Sequence, residues 1–153
     1  MKTKTLKIII DILMVVFLIM CIPSSRSGQV FLHVIQGTVF TLLVVIHVLL
    51  NRKWLVSVSK NLMSGKLKGN IKCQYGVDIF LMAIWGLTII TGFIAMGFSL
   101  WGVENLFGFI RLHGVLARVG GVLIIVHILQ HSSQIASYIG LKSKKRNIQF
   151  EKG

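Results

Sequence analysis

Residues 32–47, "LHVIQGTVFTLLVVIH", decide how this chain is read. The stretch is apolar enough to lie in a lipid bilayer, yet it carries a histidine near each end. Residues 112–127, "LHGVLARVGGVLIIVH", repeat the arrangement. His33 and His47 are fourteen positions apart, and so are His113 and His127. At 3.6 residues per turn that spacing falls within about 40° of four full turns, and slight supercoiling to about 3.5 makes it two heptads. Both histidines of a pair therefore face one way on a helix, roughly 21 Å apart along its axis.

The surrounding chain has the composition of a membrane protein. Of its 153 residues 54% are hydrophobic and only 14% are charged, too apolar a balance for an ordinary soluble domain. Four stretches, about residues 6–22, 30–50, 77–98 and 109–131, reach or approach the roughly 20 residues needed to cross the hydrocarbon core. Nothing outside them is long enough for a second domain. The expected fold is all-α, a single integral membrane four-helix bundle.

A net charge of +13 raises the question of nucleic acid, but its distribution answers it. Lys2, Lys4 and Lys7 precede the first span; Arg52, Lys53, Lys60, Lys66, Lys68 and Lys72 fill residues 51–76; Lys142, Lys144, Lys145, Arg146 and Lys152 lie in the tail, residues 140–153. Between spans one and two there is only Arg26, and Arg111 sits at the mouth of span four. Cations accumulate in cytoplasmic segments, so both termini and the longer loop are expected inside. The excess reports topology and anionic lipid, not a nucleic-acid surface.

The first span has the lysine-rich start and apolar middle of a signal peptide, followed by "IPSSRSG". It lacks small residues before a cleavage site, and Met20 before Cys21 fits lipoprotein processing poorly, so a genuine span is expected. Cys21 falls on the outer side and Cys73 on the inner, too far apart to bridge. The absence of a Cys-x-x-Cys-His run excludes the usual covalent attachment of a c-type haem.

Pro23 to Gln29 and a second short outer segment with Trp101, Glu104 and Asn105 each demand antiparallel neighbours. Within residues 51–76, "KWLVSVSKNLM" aligns Trp54, Val58 and Leu62 on one face and reads as a short helix on the membrane surface. Trp54, Tyr75, Trp101 and Tyr138 fall near the expected interfaces. At an offset of 80 the chain repeats itself weakly: "LLVVIHVLLN" (42–51) lies over "VLIIVHILQH" (122–131). Two helical hairpins in one orientation follow.

Spans two and four then run parallel, which puts His33 and His113 at the outer level and His47 and His127 at the inner one. Two facing imidazoles at each level suit two stacked bis-histidine haems between helices 2 and 4, with these four residues as axial ligands. A lone intramembrane histidine more often bonds to a neighbouring helix, but four in matched positions each need a partner in lipid. His131, one turn beyond His127 and aligned with Asn51, is expected to support the inner site by hydrogen bonding. Gly37 and Gly120 would leave room for a flat macrocycle or allow close helix packing. Arg118, inside span four, has a haem propionate or snorkelling as its choices, and Arg111 is a second propionate partner. Asp11 is expected to pair with Lys7 one turn earlier. Glu104 outside and Asp78 inside are the proton acceptors available to quinol oxidation.

Four spans with His-x13-His on the second and fourth resemble the small di-haem b-type membrane cytochromes. The run "LHVIQGTVFTLLVVIHVLLNRKW" looks in particular like the flavinylation-associated cytochrome family of prokaryotic membranes, whose histidine pattern maps onto His33, His47, His113 and His127. Span four departs from it in lacking a tryptophan after His131. The resemblance implies two haem b groups and electron transfer from the quinone pool, in the cytoplasmic membrane, toward extracytoplasmic flavin-bearing partners. No nucleotide motif, flavin-attachment motif or soluble catalytic domain is present, so an electron conduit is expected rather than a complete enzyme. The alternatives are a small transporter or channel that uses the histidines for metal or protons, and a haemless subunit that anchors a soluble redox partner.

Overall fold

Pro23 is the only proline in the chain, so no apolar run beyond it carries the residue that most strongly interrupts a helix. The computed structural model describes residues 2–66, 69–102 and 107–138. Four helices account for nearly all of them: α1 (Lys2–Arg26), α2 (Val30–Met63), α3 (Gly69–Leu100) and α4 (Phe107–Tyr138). Pro23 falls in the last turns of α1, where the helix still continues through Ser27 N–H donating to the Pro23 carbonyl at 2.9 Å.

All four helices are long and apolar enough to cross a membrane, and the chain is a multi-pass membrane protein. Burial runs opposite to that of a soluble bundle. Thr88 (2% exposed), Ser24, Thr91, Asp78 and Gln36 are buried, while Ile12, Ile19, Leu42, Ile90 and Val122 lie open at the perimeter. In water so much exposed apolar surface would drive association; against lipid tails it is the stable arrangement, and polar groups turn inward because hydrocarbon offers them no partner.

α1 packs along α2 and α3 along α4, and the two hairpins meet more sparsely, chiefly α2 against α3. Gly28 and Gly102 occupy equivalent places just after α1 and α3, with φ of 73° and 70°. That left-handed conformation lets the chain leave each helix, and a Cβ disfavours it. Gly28→Ala should therefore lower stability by about 1 kcal/mol through backbone strain alone, since no atom lies within 4 Å of the added methyl. Thermal unfolding in detergent would measure it.

The inner segment differs from the sequence expectation. The surface helix at "KWLVSVSKNLM" is the continuation of α2, and α3 begins at Gly69, so the 51–76 loop shrinks to a short link after Met63. The 34 residues of α2 extend about 51 Å at 1.5 Å per residue, well beyond a hydrocarbon core of about 30 Å. Polar residues end a span, but from Asn51 to Met63 there is no glycine or proline to end a helix. Neighbouring helices hold the extension: Val58 is buried, the Ser59 and Tyr75 hydroxyls share a hydrogen bond of 2.8 Å, and the Trp54 ring meets His131 at 6.2 Å. Glu104, the tail and the Tyr138 side chain lie outside the described residues.

At mid-bundle Trp85 of α3 stacks at a tilt on Phe40 of α2, with centroids 4.9 Å apart. Its indole also fills the space beside Gly120, where a Cβ would come within 3.0 Å of it. The opening expected at Gly120 is thus occupied, and this glycine serves close packing. Gly37 is the one of the two with nothing within 4 Å of its would-be Cβ.

Candidate functional site

The end of the bundle where α1 turns into α2 and α3 into α4 is the hairpin end; the opposite end, which carries Lys7, Lys53, Lys60 and Lys72, is the basic end. The sequence repeat places His33 and His113 at the first, His47 and His127 at the second. The structure brings His33 and His113 face to edge across the two hairpins, with ring centroids 6.0 Å apart and planes at 83°.

Each of the four histidines uses its Nδ1 toward its own hairpin partner helix. His33 Nδ1–H donates to the Cys21 carbonyl of α1 at 3.1 Å, and His113 Nδ1–H to the Thr88 carbonyl of α3 at 2.9 Å. A helical carbonyl keeps its backbone bond and accepts a second donor on its other lone pair. At the basic end the acceptors are carboxylates: His47 Nδ1–H donates to Asp11 Oδ1 and His127 Nδ1–H to Asp78 Oδ1, both at 2.7 Å. A carbonyl oxygen has no proton to give, so Nδ1 must hold it in the hairpin-end pair. The neutral imidazole then carries its lone pair on Nε2, the tautomer suited to binding a metal through that atom.

These contacts form a second internal repeat that the histidine spacing alone does not reveal. Asp11 and Cys21 are ten residues apart on α1, and Asp78 and Thr88 are ten apart on α3. The acceptors repeat at an offset of 67, whereas the histidines repeat at 80. The expected Asp11–Lys7 pair does not form. Asp11 is taken by His47, and Lys7 Nζ donates instead to Asn51 Oδ1 at 2.7 Å. The antiparallel packing of α1 on α2 sets cross-helix partners closer than the neighbour one turn away.

Around the basic-end histidines the two hairpins differ. Asn51 Nδ2 donates to the His47 carbonyl at 2.9 Å, with a long 3.4 Å approach to His47 Nε2. In the second hairpin His131 stands at the Asn51 position, its ring 4.6 Å from that of His127 and its Nε2 3.4 Å from Asp78 Oδ2. Asp78, His127 and His131 thus offer one ligand atom each, all within 4.8 Å of one another. α2 and α4 approach here through Trp54 and His131.

Two further features bear on what the site can hold. Gly92 of α3 lies flat under the His113 ring: a Cβ there would come within 3.0 Å of Cε1 and 3.2 Å of Nδ1. Arg118 is exposed, with Nε donating to the Gly114 carbonyl at 3.1 Å, so its guanidinium reaches back along α4 toward the hairpin end; Arg111 is exposed one turn earlier still than Gly114. Cys21 and Cys73 are free thiols. Against protein-family models, curated proteins and solved structures, the chain finds no match.

Proposed function

We propose that this chain is a di-haem b-type membrane cytochrome that conducts electrons between the two faces of a prokaryotic cytoplasmic membrane. The observation that carries the reading is the set of four Nδ1 contacts, which leaves Nε2 as the ring nitrogen open to a metal on His33, His47, His113 and His127. His33 and His113 would hold one haem from the two hairpins across the hairpin end. His33 and His113 stand at 6.0 Å. Bound haem would supply a one-electron iron couple at each level. The imidazoles would hold it with the Nδ1 acceptors fixing their orientation, and Gly37, with nothing within 4 Å of its would-be Cβ, would leave room for a flat ring near His33.

On this reading the basic end is cytoplasmic, with both termini inside. Arg111 and Arg118 are the cations available to propionates at the outer level. The resemblance to flavinylation-associated cytochromes favours quinol as donor and an extracytoplasmic flavoprotein as acceptor. Purified protein is expected to show redox-active Soret and α bands and about two haems per chain. A folded, colourless preparation that takes up no added haem would overturn the proposal.

The cluster of Asp78, His127 and His131 favours one second reading, a transporter or channel with a divalent transition-metal site. Two imidazoles and a carboxylate with an open fourth position suit Zn²⁺. That reading predicts one Zn²⁺ per haem-free chain by calorimetry, lost in His131→Ala, and metal-dependent flux in proteoliposomes without a haem spectrum.

A further inference from the structure

The two levels differ in one chemical respect that is the same in both hairpins. At the hairpin end each imidazole donates to a neutral backbone carbonyl, from Cys21 and from Thr88. At the basic end each donates to a carboxylate, Asp11 or Asp78, at 2.7 Å. The carboxylate bonds are the shorter ones, as expected when the acceptor carries charge. We propose that the haem at the basic end has the lower reduction potential, so electrons pass downhill from the basic end to the hairpin end. The proposal rests on the two-haem reading and adds to it an order of potentials and a direction.

A carboxylate on Nδ1–H pulls the proton toward itself and leaves more electron density on Nε2, which makes a more basic ligand. Such a ligand would stabilise ferric over ferrous iron, and at the basic end both His47 and His127 are of this kind. Ligand basicity and nearby charge are established levers on haem potential.

At the basic end the Lys7 ammonium reaches Asn51 and not the imidazole. The chain of contacts from Lys7 to His47 therefore passes through a neutral amide, whereas Asp11 and Asp78 touch the ligands directly. At the other end the Arg111 and Arg118 cations would raise the outer potential and widen the gap in the same direction. Under the positive-inside assignment the downhill direction is outward, from cytoplasmic face to external face.

Asp11 and Asp78 are positioning residues on this account: they act on iron through the imidazoles. Asparagine at either place keeps an oxygen for Nδ1–H and removes the charge. The experiment is a spectroelectrochemical titration of the holoprotein and its variants, followed by low-spin absorption and electron paramagnetic resonance. His33→Ala isolates the basic-end haem and His47→Ala the hairpin-end haem, so each potential is assigned to a level. The basic-end potential should lie below the other.

Adding Asp78→Asn or Asp11→Asn to His33→Ala should shift the ferric/ferrous equilibrium about tenfold toward ferrous, roughly 59 mV upward for a one-electron couple. The same substitutions in His47→Ala should leave the hairpin-end potential in place. Should one aspartate variant lose its haem, the other still supplies the measurement, and the order of the two potentials in the unsubstituted aspartate background decides the proposal by itself. Equal potentials, a higher potential at the basic end, or aspartate variants that leave it unmoved would overturn the inference while the two-haem reading stood. A preparation without haem would instead sink the reading beneath it.

Discussion

Alanine at His33 or at His113 should abolish one low-spin haem signal and the same one in both variants, while alanine at His47 or His127 abolishes the other. Each loss should remove about half of the total low-spin intensity, because an iron deprived of one strong axial ligand turns high-spin or leaves. The expectation follows from the two levels. His33 and His113 stand together across the hairpins at 6.0 Å, and fourteen residues of helix separate them from the second pair by roughly 21 Å. A substitution at one level therefore acts far from the other. His131→Ala should be milder, with the basic-end signal shifted and still low-spin, because His131 touches Asp78 and the His127 ring. Loss of that signal in His131→Ala with retention in His127→Ala would move the ligand by one turn. Loss of one and the same haem in His33→Ala and His47→Ala would refute the two-level arrangement.

Gly92→Leu should have an effect nearly as large, and by a different route. The residue is not a ligand, yet its missing side chain is where the His113 imidazole lies. An added Cβ alone would approach Cε1 within 3.0 Å, and the branched side chain needs the whole space now taken by the ring. The ring cannot yield easily, because Nδ1 is held by the Thr88 carbonyl at 2.9 Å. Overpacking of this kind costs typically 1–3 kcal/mol, and the least resisting response is for the imidazole to swing off its acceptor. The expected result is loss of the hairpin-end low-spin signal with the basic-end signal intact, read from the same spectra. Gly37→Ala is the contrast: with nothing within 4 Å of the new methyl in the protein alone, a fold-wide effect should be absent, and any loss should be confined to the haem near His33. Equal loss of both signals in Gly92→Leu would show general unfolding and refute the local account.

Several parts of this protein are legible in one dimension because they depend on periodicity or on transfer from water to lipid. The four spans are apolar runs of sufficient length, and helices are the structure a single chain segment can adopt in lipid with its backbone satisfied. The spacing of fourteen sets both histidines of a pair on one face whatever the helix packs against. The short hairpin connections make α2 and α4 parallel, and so set His33 level with His113.

The partners of the histidines are another matter. Cys21, Asp11, Thr88 and Asp78 lie on α1 and α3, twelve to forty-nine residues away in the chain. No local period relates them to their histidines, because the register between antiparallel helices is set by how side chains interlock along the whole contact. Two of the acceptors are backbone carbonyls, which every residue possesses, so they leave no residue type to recognise. The ten-residue spacing of Asp11 with Cys21 and of Asp78 with Thr88 becomes meaningful only once the hairpins are closed. Packing likewise put Trp85 in the space beside Gly120 and drew Asp11 away from Lys7. The extension of α2 past Asn51 was hidden for a related reason. Hydropathy marks where lipid ends, whereas a helix continues until its backbone meets a residue that stops it, and the burial of Val58 with the contacts of Ser59 to α3 and Trp54 to α4 keeps that extension in place. Residue spacing thus determined the faces and levels, while tertiary packing decided which neutral or charged oxygen each histidine meets, because that depends on distances between helices and not on positions along one.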